Sequence, residues 1–463
     1  MNVLRRPRQS DLPILERVIN RLKNNISPPQ LITIVFFGLI WVGAILLSMP
    51  FSSSNGKSVG LLDALFTSVS AVCVNGLVVV DTGSTYSLAG QIIIMCLIQV
   101  GGIGFMTLGV MVAILLGKKI GLKQRLIIQQ TTQSTSARGL VRLSLYMVLI
   151  VFVFESIATL ILTLHWESEL GLGRAAYYAL FHSVSAFNNA GFALWPDSLS
   201  RFVGDPVVNI TMILLFIIGG LGYIVILDVL RKRSWRKLAL HSKVVLVSSA
   251  VLIIVGFLLI LLLESWNHHT FGNLSTGERI LAALFQSTTP RSVGYNTIDI
   301  GSMLAVSQFI IIILMFIGAA SGGTGGGIKT NTLVILILST IQTFRGGGQI
   351  HAYGRRISPE SVMRALAVVM AALAFVLFVT LVLTITEDVA KDNFLAVLFE
   401  ATSAFSTTGL STGLTGELTD AGKIIVSITM FIGRLGPLTL AYALSQKKQT
   451  SKIGYPEDHI LVG

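Results

Sequence analysis

Long apolar runs separated by short polar or basic stretches set the pattern of this chain. Runs of ~20 apolar residues, enough to cross ~30 Å of hydrocarbon as helix, fall at 29–51, 90–117, 143–164, 207–230, 243–264, 306–340, 362–386 and 421–445. Between spans one and two, three and four, five and six, and seven and eight lies a second kind of element. It consists of ten to fifteen fairly apolar residues, such as "LLDALFTSVSAV", too short to cross and ending in small or polar residues. Such a segment can enter the membrane only as a half-helix.

The four short segments align. "FTSVSAVCVNGL" from Phe66, "FHSVSAFNNAGF" from Phe181, "FQSTTPRSVGY" from Phe285 and "FEATSAFSTTGL" from Phe399 each run from a phenylalanine to a glycine, namely Gly76, Gly191, Gly294 and Gly409. In the span that follows each one, a second glycine marker recurs: "VGGIGF" from Val100, "IGGLGY" from Ile218, "IGAASG" from Ile317 and "IGRLGP" from Ile432. Four internal repeats follow. Their bounds are 29–117, 143–230, 243–340 and 362–445, joined by loops 118–142, 231–242 and 341–361, with an arm 1–28 and a tail 446–463. The expected fold is an all-α integral membrane protein with eight transmembrane helices and four re-entrant half-helices around a central pore. Two spans per unit keep all units facing the same way, which favours a conduction path over the midplane site of inverted-repeat transporters.

Composition agrees with a membrane location. Of the 463 residues 53% are hydrophobic and 12% charged, and the mean hydropathy is +0.78; a soluble domain has about 25% charged residues. The net charge of +12 would suit a nucleic-acid binder, but its positions speak against that reading. Lys118, Lys119, Lys123, Arg125, Arg138 and Arg142 follow span two, Arg231, Lys232, Arg233, Arg236, Lys237 and Lys243 follow span four, and Arg345, Arg355, Arg356 and Arg364 follow span six. Arg5, Arg6, Arg8, Arg17, Arg21 and Lys23 occupy the arm. The positive-inside rule places these loops and both termini in the cytoplasm of a cell whose plasma membrane the chain spans many times. Cys73 and Cys96 lie in apolar stretches and suggest neither disulfide nor metal cluster. We read no cleaved signal peptide.

Irregular backbone at membrane depth is tolerated only where it lines a cavity or is buried in protein. Inward-facing carbonyls can replace the water of a monovalent cation without a charge that holds it too tightly, and glycine permits the required dihedrals. The expected filter is therefore Val74, Asn75, Gly76; Asn189, Ala190, Gly191; Ser292, Val293, Gly294; and Thr407, Thr408, Gly409, holding a potassium ion at its carbonyls. Glycines that merely let helices pack closely are the plainer alternative. Asp81, Asp197 and Asp299, with Glu417 slightly further on, could form an acidic mouth.

"FIGAASGGTGGGIKT", residues 316–330, looks like a phosphate loop, but Ile328 separates Gly327 from Lys329 and both flanks are apolar. A phosphate loop needs the lysine directly after the glycine, in a strand-to-helix turn. No nucleotide is expected on this chain.

The four pore segments, the two-span plan and "FIGRLGPLT" resemble the Trk/Ktr/HKT superfamily of potassium transporters over essentially the whole chain, and eight spans look most like the Ktr membrane subunit. The resemblance implies potassium uptake, passive or coupled to sodium. A glycine at Gly76 implies potassium rather than sodium selectivity, although relatives often carry threonine where this chain has Asn75. It further implies a homodimer, with the tail "HILVG" at the contact, and a separate cytoplasmic nucleotide-binding ring as regulator. In that family a small-residue loop below the filter obstructs the pore, which here maps onto Gly318, Ala319, Ala320, Ser321, Gly322, Gly323, Thr324, Gly325, Gly326 and Gly327. Arg434 would lie beside it, slowing cations, with Glu155 as a partner. A passive kink and a structural ion pair are the plainer roles. His182 and Arg291 read as scaffold, Lys329 as either. Competing classes are a secondary transporter of another small solute and a membrane enzyme; for the latter no His-Glu-x-x-His spacing or nucleophile setting occurs.

Overall fold

The computed structural model describes residues 28–115, 137–347, 349–387 and 393–436. The arginines of the arm, the basic stretch 118–125, the end of the span forecast over 421–445 and the tail lie outside those residues. The described chain is helical apart from a two-residue ladder pairing His351 with Arg356 and Ala352 with Arg355.

The first repeat holds α1 (Pro28–Ser48), the short α2 (Leu61–Cys73) and α3 (Leu88–Leu115). Next come α4 (Ala137–Leu170), α5 (Leu172–Phe187), α6 (Pro206–Leu221) and α7 (Tyr223–Lys232). The third group is α8 (Leu240–Glu264), α9 (Thr276–Thr288), α10 (Ala305–Phe316) and α11 (Thr330–Phe344). Last are α12 (Pro359–Thr386), α13 (Phe394–Ser406) and α14 (Asp420–Leu435). Polar caps set several starts: Asp205 accepts from Val207 and Val208 before Pro206, Ser275 and Glu278 form a capping box, and Asn393 and Thr419 cap α13 and α14.

Among the described residues, three helices are long and apolar enough to cross a membrane: Leu145–Leu170, Leu240–Glu264 and Pro359–Thr386. Their outer faces are bare hydrocarbon, as Leu145, Leu149, Leu160 and Leu164 of α4 show at 58–65% exposure. The shorter helices are the ones that turn inward. α2, α5, α9 and α13 each pack against the helix before them, α1, α4, α8 and α12 respectively. Each of their phenylalanines, Phe66, Phe181, Phe285 and Phe399, is fully buried, which explains the shared marker: the ring anchors the half-helix in the core. Contacts between repeats run in one direction, α3 to α5, α6 to α9, α10 to α13 and α14 to α2. The last of these closes the circle.

One forecast of continuous helix is corrected. The run 207–230 is two helices, α6 and α7, bent by 96° at Gly222, whose φ is +85°. The run 306–340, where a small-residue loop was expected over 318–327, is also two helices, with irregular backbone between Phe316 and Thr330. One cause accounts for both. The break at Gly222 frees the carbonyls of Gly219 and Gly220, which accept from the Thr324 and Ala320 amides at 3.2 and 3.1 Å, while Gly322 O accepts from Tyr223 N at 3.3 Å. Each broken helix supplies the polar partners that the other lacks, as backbone at membrane depth requires.

Candidate functional site

Past the end of each half-helix, by one residue at Val74 and Thr407, two at Asn189 and four at Ser292, the chain enters the left-handed region, with φ of 55° at Val74, 59° at Asn189, 63° at Ser292 and 48° at Thr407. Two residues on, Gly76, Gly191, Gly294 and Gly409 also have positive φ, 95, 70, 93 and 84°. The alternation lifts the chain away from the helix axis while its amides stay tied to it. Asn75 N donates to Ser70 O at 2.8 Å, Ala190 N to Ser185 O at 2.7 Å and Thr408 N to Ser403 O at 2.9 Å. The hydroxyls of Ser70 and Ser403 accept from Gly76 N and Gly409 N, both at 3.1 Å. With these amides turned back into the half-helices, the carbonyls are left to face the opposite way.

The sequence-predicted residues come together as a ring. A methyl group added at Gly76 would lie 2.5 Å from Ala190 O; at Gly191, 2.7 Å from Val293 O; at Gly294, 2.4 Å from Thr408 O; and at Gly409, 2.1 Å from Asn75 O. Each glycine thus backs onto the carbonyl that precedes the next repeat's glycine, and the fourth returns to the first. Real Cβ atoms do not approach that closely, so no residue with a side chain fits any of the four positions unmoved. Four carbonyl oxygens, those of Asn75, Ala190, Val293 and Thr408, thus each meet a neighbouring repeat's glycine in one closed circle. Side chains brace the circle from behind: Asn75 Nδ2 donates to Ala404 O at 3.0 Å, Ser292 Oγ to Ser406 O at 2.9 Å and Tyr295 OH to Phe192 O at 2.5 Å.

Directly beneath lies the glycine run. Gly318, Ala319, Ala320, Gly323, Thr324, Gly325 and Gly326 are buried, and Ser321, Gly322 and Gly327 are half-buried. Gly326 N donates to Thr407 Oγ1 at 2.9 Å, and a methyl at Gly326 would clash with that hydroxyl at 2.3 Å. Gly325 and Gly318 are similarly close to Ser292, and Gly327 to Ser406. Thr324 Oγ1 donates to Phe187 O at 3.4 Å. The run therefore touches the ends of the second, third and fourth half-helices, one residue below the ring.

Arg434 is 3% exposed; it donates through one guanidinium nitrogen to Thr324 O and through the other to Gly101 O at 2.8 Å. Glu155 is not its partner, contrary to expectation. That carboxylate accepts from Gln99 Nε2 at 2.9 Å and Asn188 Nδ2 at 3.1 Å, while Asn188 also donates to Gln99 Oε1 at 2.6 Å. The closed triad ties α3 and α4 to the residue that caps the second half-helix. Sequence reading missed Gln99 and Asn188 because a single amide in an apolar run carries no signal of its own.

His182 is stacked on Trp195 with ring centroids 4.6 Å apart, and its Nε2 accepts from Leu194 N at 3.3 Å. Arg291 donates to Ser249 Oγ at 3.0 Å and to Thr330 Oγ1 at 3.5 Å. The forecast acidic mouth is largely occupied with its own loops. Asp81 accepts from Ser84 N at 2.7 Å, Asp299 from Gly301 N at 3.1 Å and Ser302 Oγ at 2.5 Å, and Asp197 holds Arg201 in a forked pair at 2.7 Å. Glu417 is exposed at the end of a short turn.

A closed circle of four glycines and four backbone carbonyls, built on half-helices within an apolar helical bundle, has the chemistry that a membrane protein passing a cation needs. Comparison with known proteins agrees. Residues 20–453 match the family model TrkH, cation transport protein, and the chain belongs to that family. It is 42% identical to the Ktr system potassium uptake protein B of Bacillus subtilis over 94% of this chain and 97% of that protein. A similar match, 42% over 94% and 95%, is to the protein of the same name from Vibrio alginolyticus. The potassium/sodium uptake protein NtpJ of Enterococcus hirae is 37% identical over 96% and 99%. The fold resembles the crystal structure of the potassium transporter TrkH from Vibrio parahaemolyticus, with a TM-score of 0.72 and 17% identity over 91% of this chain and 86% of that one.

Proposed function

We propose that this chain carries potassium into the cell across the plasma membrane, through the ring of carbonyls at Asn75, Ala190, Val293 and Thr408, with Val74, Asn189, Ser292 and Thr407 below and the four glycines beside them. The single observation that carries the reading is the cyclic closure of the glycines on their neighbours' carbonyls. Four converging half-helix C-termini add partial negative charge at the same point, which favours a cation over an anion. The carbonyl ring is the oxygen cage that a dehydrated potassium ion needs. Relatives bearing potassium and potassium/sodium uptake names support the choice of ion, and sodium acts here as a coupling or activating ion.

The run Gly318–Gly327, with Arg434, is the gate. Its position one residue beneath the carbonyl ring supports this, as does its irregular backbone, tied by side chains and by the other broken helix rather than by a helical ladder of its own. Its control comes from a separate cytoplasmic nucleotide-binding ring docked on the basic face, and the membrane subunit works as a homodimer in lipid with both termini cytoplasmic. The exposed basic residues Arg231 in the last turn of α7 and Arg233, Arg236 and Lys237 beyond it suit the cytoplasmic side by the positive-inside rule.

The test is expression in cells lacking their own potassium uptake, with and without a cognate ring subunit, measuring growth and rubidium flux beside Gly76→Ser. Rescue by the parent, with potassium preference weakened in the variant, is the expected result. No cation flux in either condition, with protein confirmed in the membrane, would overturn the pore.

A further inference from the structure

The glycine run already holds a cation of its own. Lys329 closes the run at the N-cap of α11, and its ammonium turns back to donate to Gly325 O at 2.7 Å and Gly326 O at 3.4 Å. The preceding carbonyl, Thr324 O, receives Arg434. Three successive carbonyls are thus met by two cationic side chains. Among the described residues no carboxylate lies within ion-pair distance of Lys329. Nor does the adjoining helix explain the charge, because a helix N-terminus is the positive end of the dipole and disfavours a cation. What accommodates the ammonium is the pair of carbonyls.

Those carbonyls belong to residues in contact with Ser292 and Thr407, the residues immediately below the ring. An ammonium with three donors does for them what a dehydrated monovalent cation would do. We propose that Gly325 O and Gly326 O form a second monovalent-cation site beneath the ring, which Lys329 fills when the loop is closed and vacates when the loop opens. Lys329 is then a tethered competitor of the permeating ion. Because ion and ammonium carry the same charge, the exchange leaves the net charge at the site unchanged. The inference rests on the ring as conduction path and the run as gate.

The experiment compares rubidium flux in proteoliposomes for the parent, Lys329→Ala, Lys329→Met and Lys329→Arg, each with and without millimolar methylammonium. A fifth protein lacking Ser321 to Gly323 tests the gate alone. Removing the tethered cation should raise basal flux roughly tenfold, as a shift of the closed population, in both neutral variants. Methylammonium should bring Lys329→Ala back toward the parental rate while leaving the parent unchanged, and Lys329→Arg should stay low. Parental flux in both neutral variants, beside raised flux in the shortened loop, would overturn the tethered cation and spare the gate. Raised flux that methylammonium does not touch would also overturn it, showing a loosened loop rather than an emptied site. If the shortened loop itself conducts at the parental rate, the gate reading fails and the inference with it. Monodispersity of each protein before reconstitution separates these results from misfolding.

Discussion

Two glycine-rich regions stand one above the other, and their glycines answer different needs. In the ring, every glycine combines a positive φ with a neighbour's carbonyl where a Cβ would be. In the run below, only Gly322 and Gly327 have positive φ, and at Gly322 the nearest atom to an added methyl is 3.5 Å away. At the ring the chain is tied by main-chain bonds into its own half-helices, whereas the run is tied by main-chain bonds to the other broken helix, at Gly219, Gly220 and Tyr223, and by the side chains of Thr407, Lys329, Arg434 and Thr330. A backbone fixed at every glycine by its dihedral and by a neighbour's carbonyl selects, and one whose side-chain ties can be released singly can move. That division is what mutations should expose.

The largest effect is expected at the ring. Gly409→Ala puts a methyl 2.1 Å from Asn75 O, so the carbonyl must move, and potassium-dependent growth and rubidium uptake should fall at least a hundredfold; a loss of several kcal/mol is in reach where backbone must shift. Gly322→Ala, with room for its methyl, should cost only about 1–2 kcal/mol for the left-handed backbone and leave uptake selective. Equal losses at both positions would erase the distinction. Next comes Arg434→Gln, which removes the guanidinium from Thr324 O and should raise basal rubidium flux about tenfold, in keeping with loss of a charge-assisted bond. Thr407→Val deletes the acceptor for Gly326 N and should raise basal flux about threefold to tenfold, the worth of one hydrogen bond, while Thr407→Ser keeps the parental rate. A tight seal in Thr407→Val would detach the run from the half-helix above it.

How much of this was legible in the sequence follows the same line. The ring was, because a fourfold phenylalanine-to-glycine spacing fixes both the anchor and the bend, and the four segments fall where the alignment puts them. The break at Gly222 was not. "IGGLGY" in an apolar run reads as helix, and only the arrival of Ala320 and Thr324 from a hundred residues away supplies donors for the carbonyls it frees. Glu155 was assigned the wrong partner for a related reason: charge suggests Arg434, but packing offers Gln99 and Asn188 first. The mouth acids show a further, local pattern. Asp81 with Ser84, Asp197 with Arg201 and Asp299 with Ser302 are local turn and i,i+4 pairs, visible in the sequence once spacing is weighed before charge.

The smallest expected effect concerns Asn75, where the ring departs from its fourfold plan. The other three residues at this level are Ala190, Val293 and Thr408; Thr408 reaches across with its hydroxyl to Pro290 O at 3.3 Å, and Asn75 with an amide to Ala404 O at 3.0 Å and Ser403 O at 3.5 Å at the end of the fourth half-helix. Its own Oδ1 accepts from Leu77 N at 3.3 Å, so the side chain grips both flanks of the closure between repeats four and one. The carbonyl offered to the ion is unchanged by substitution, and what changes is how firmly it is held. Asn75→Thr cannot span the gap with an amide and should widen the tolerance of the ring, lowering the preference for rubidium over sodium by about twofold to fivefold, as the loss of one neutral hydrogen bond would. Total uptake at saturating potassium should stay near the parental value. A collapse of uptake in Asn75→Thr would mean that the side chain, rather than the backbone, supplies a ligand at this position, and the equivalence of the four carbonyls would fail there.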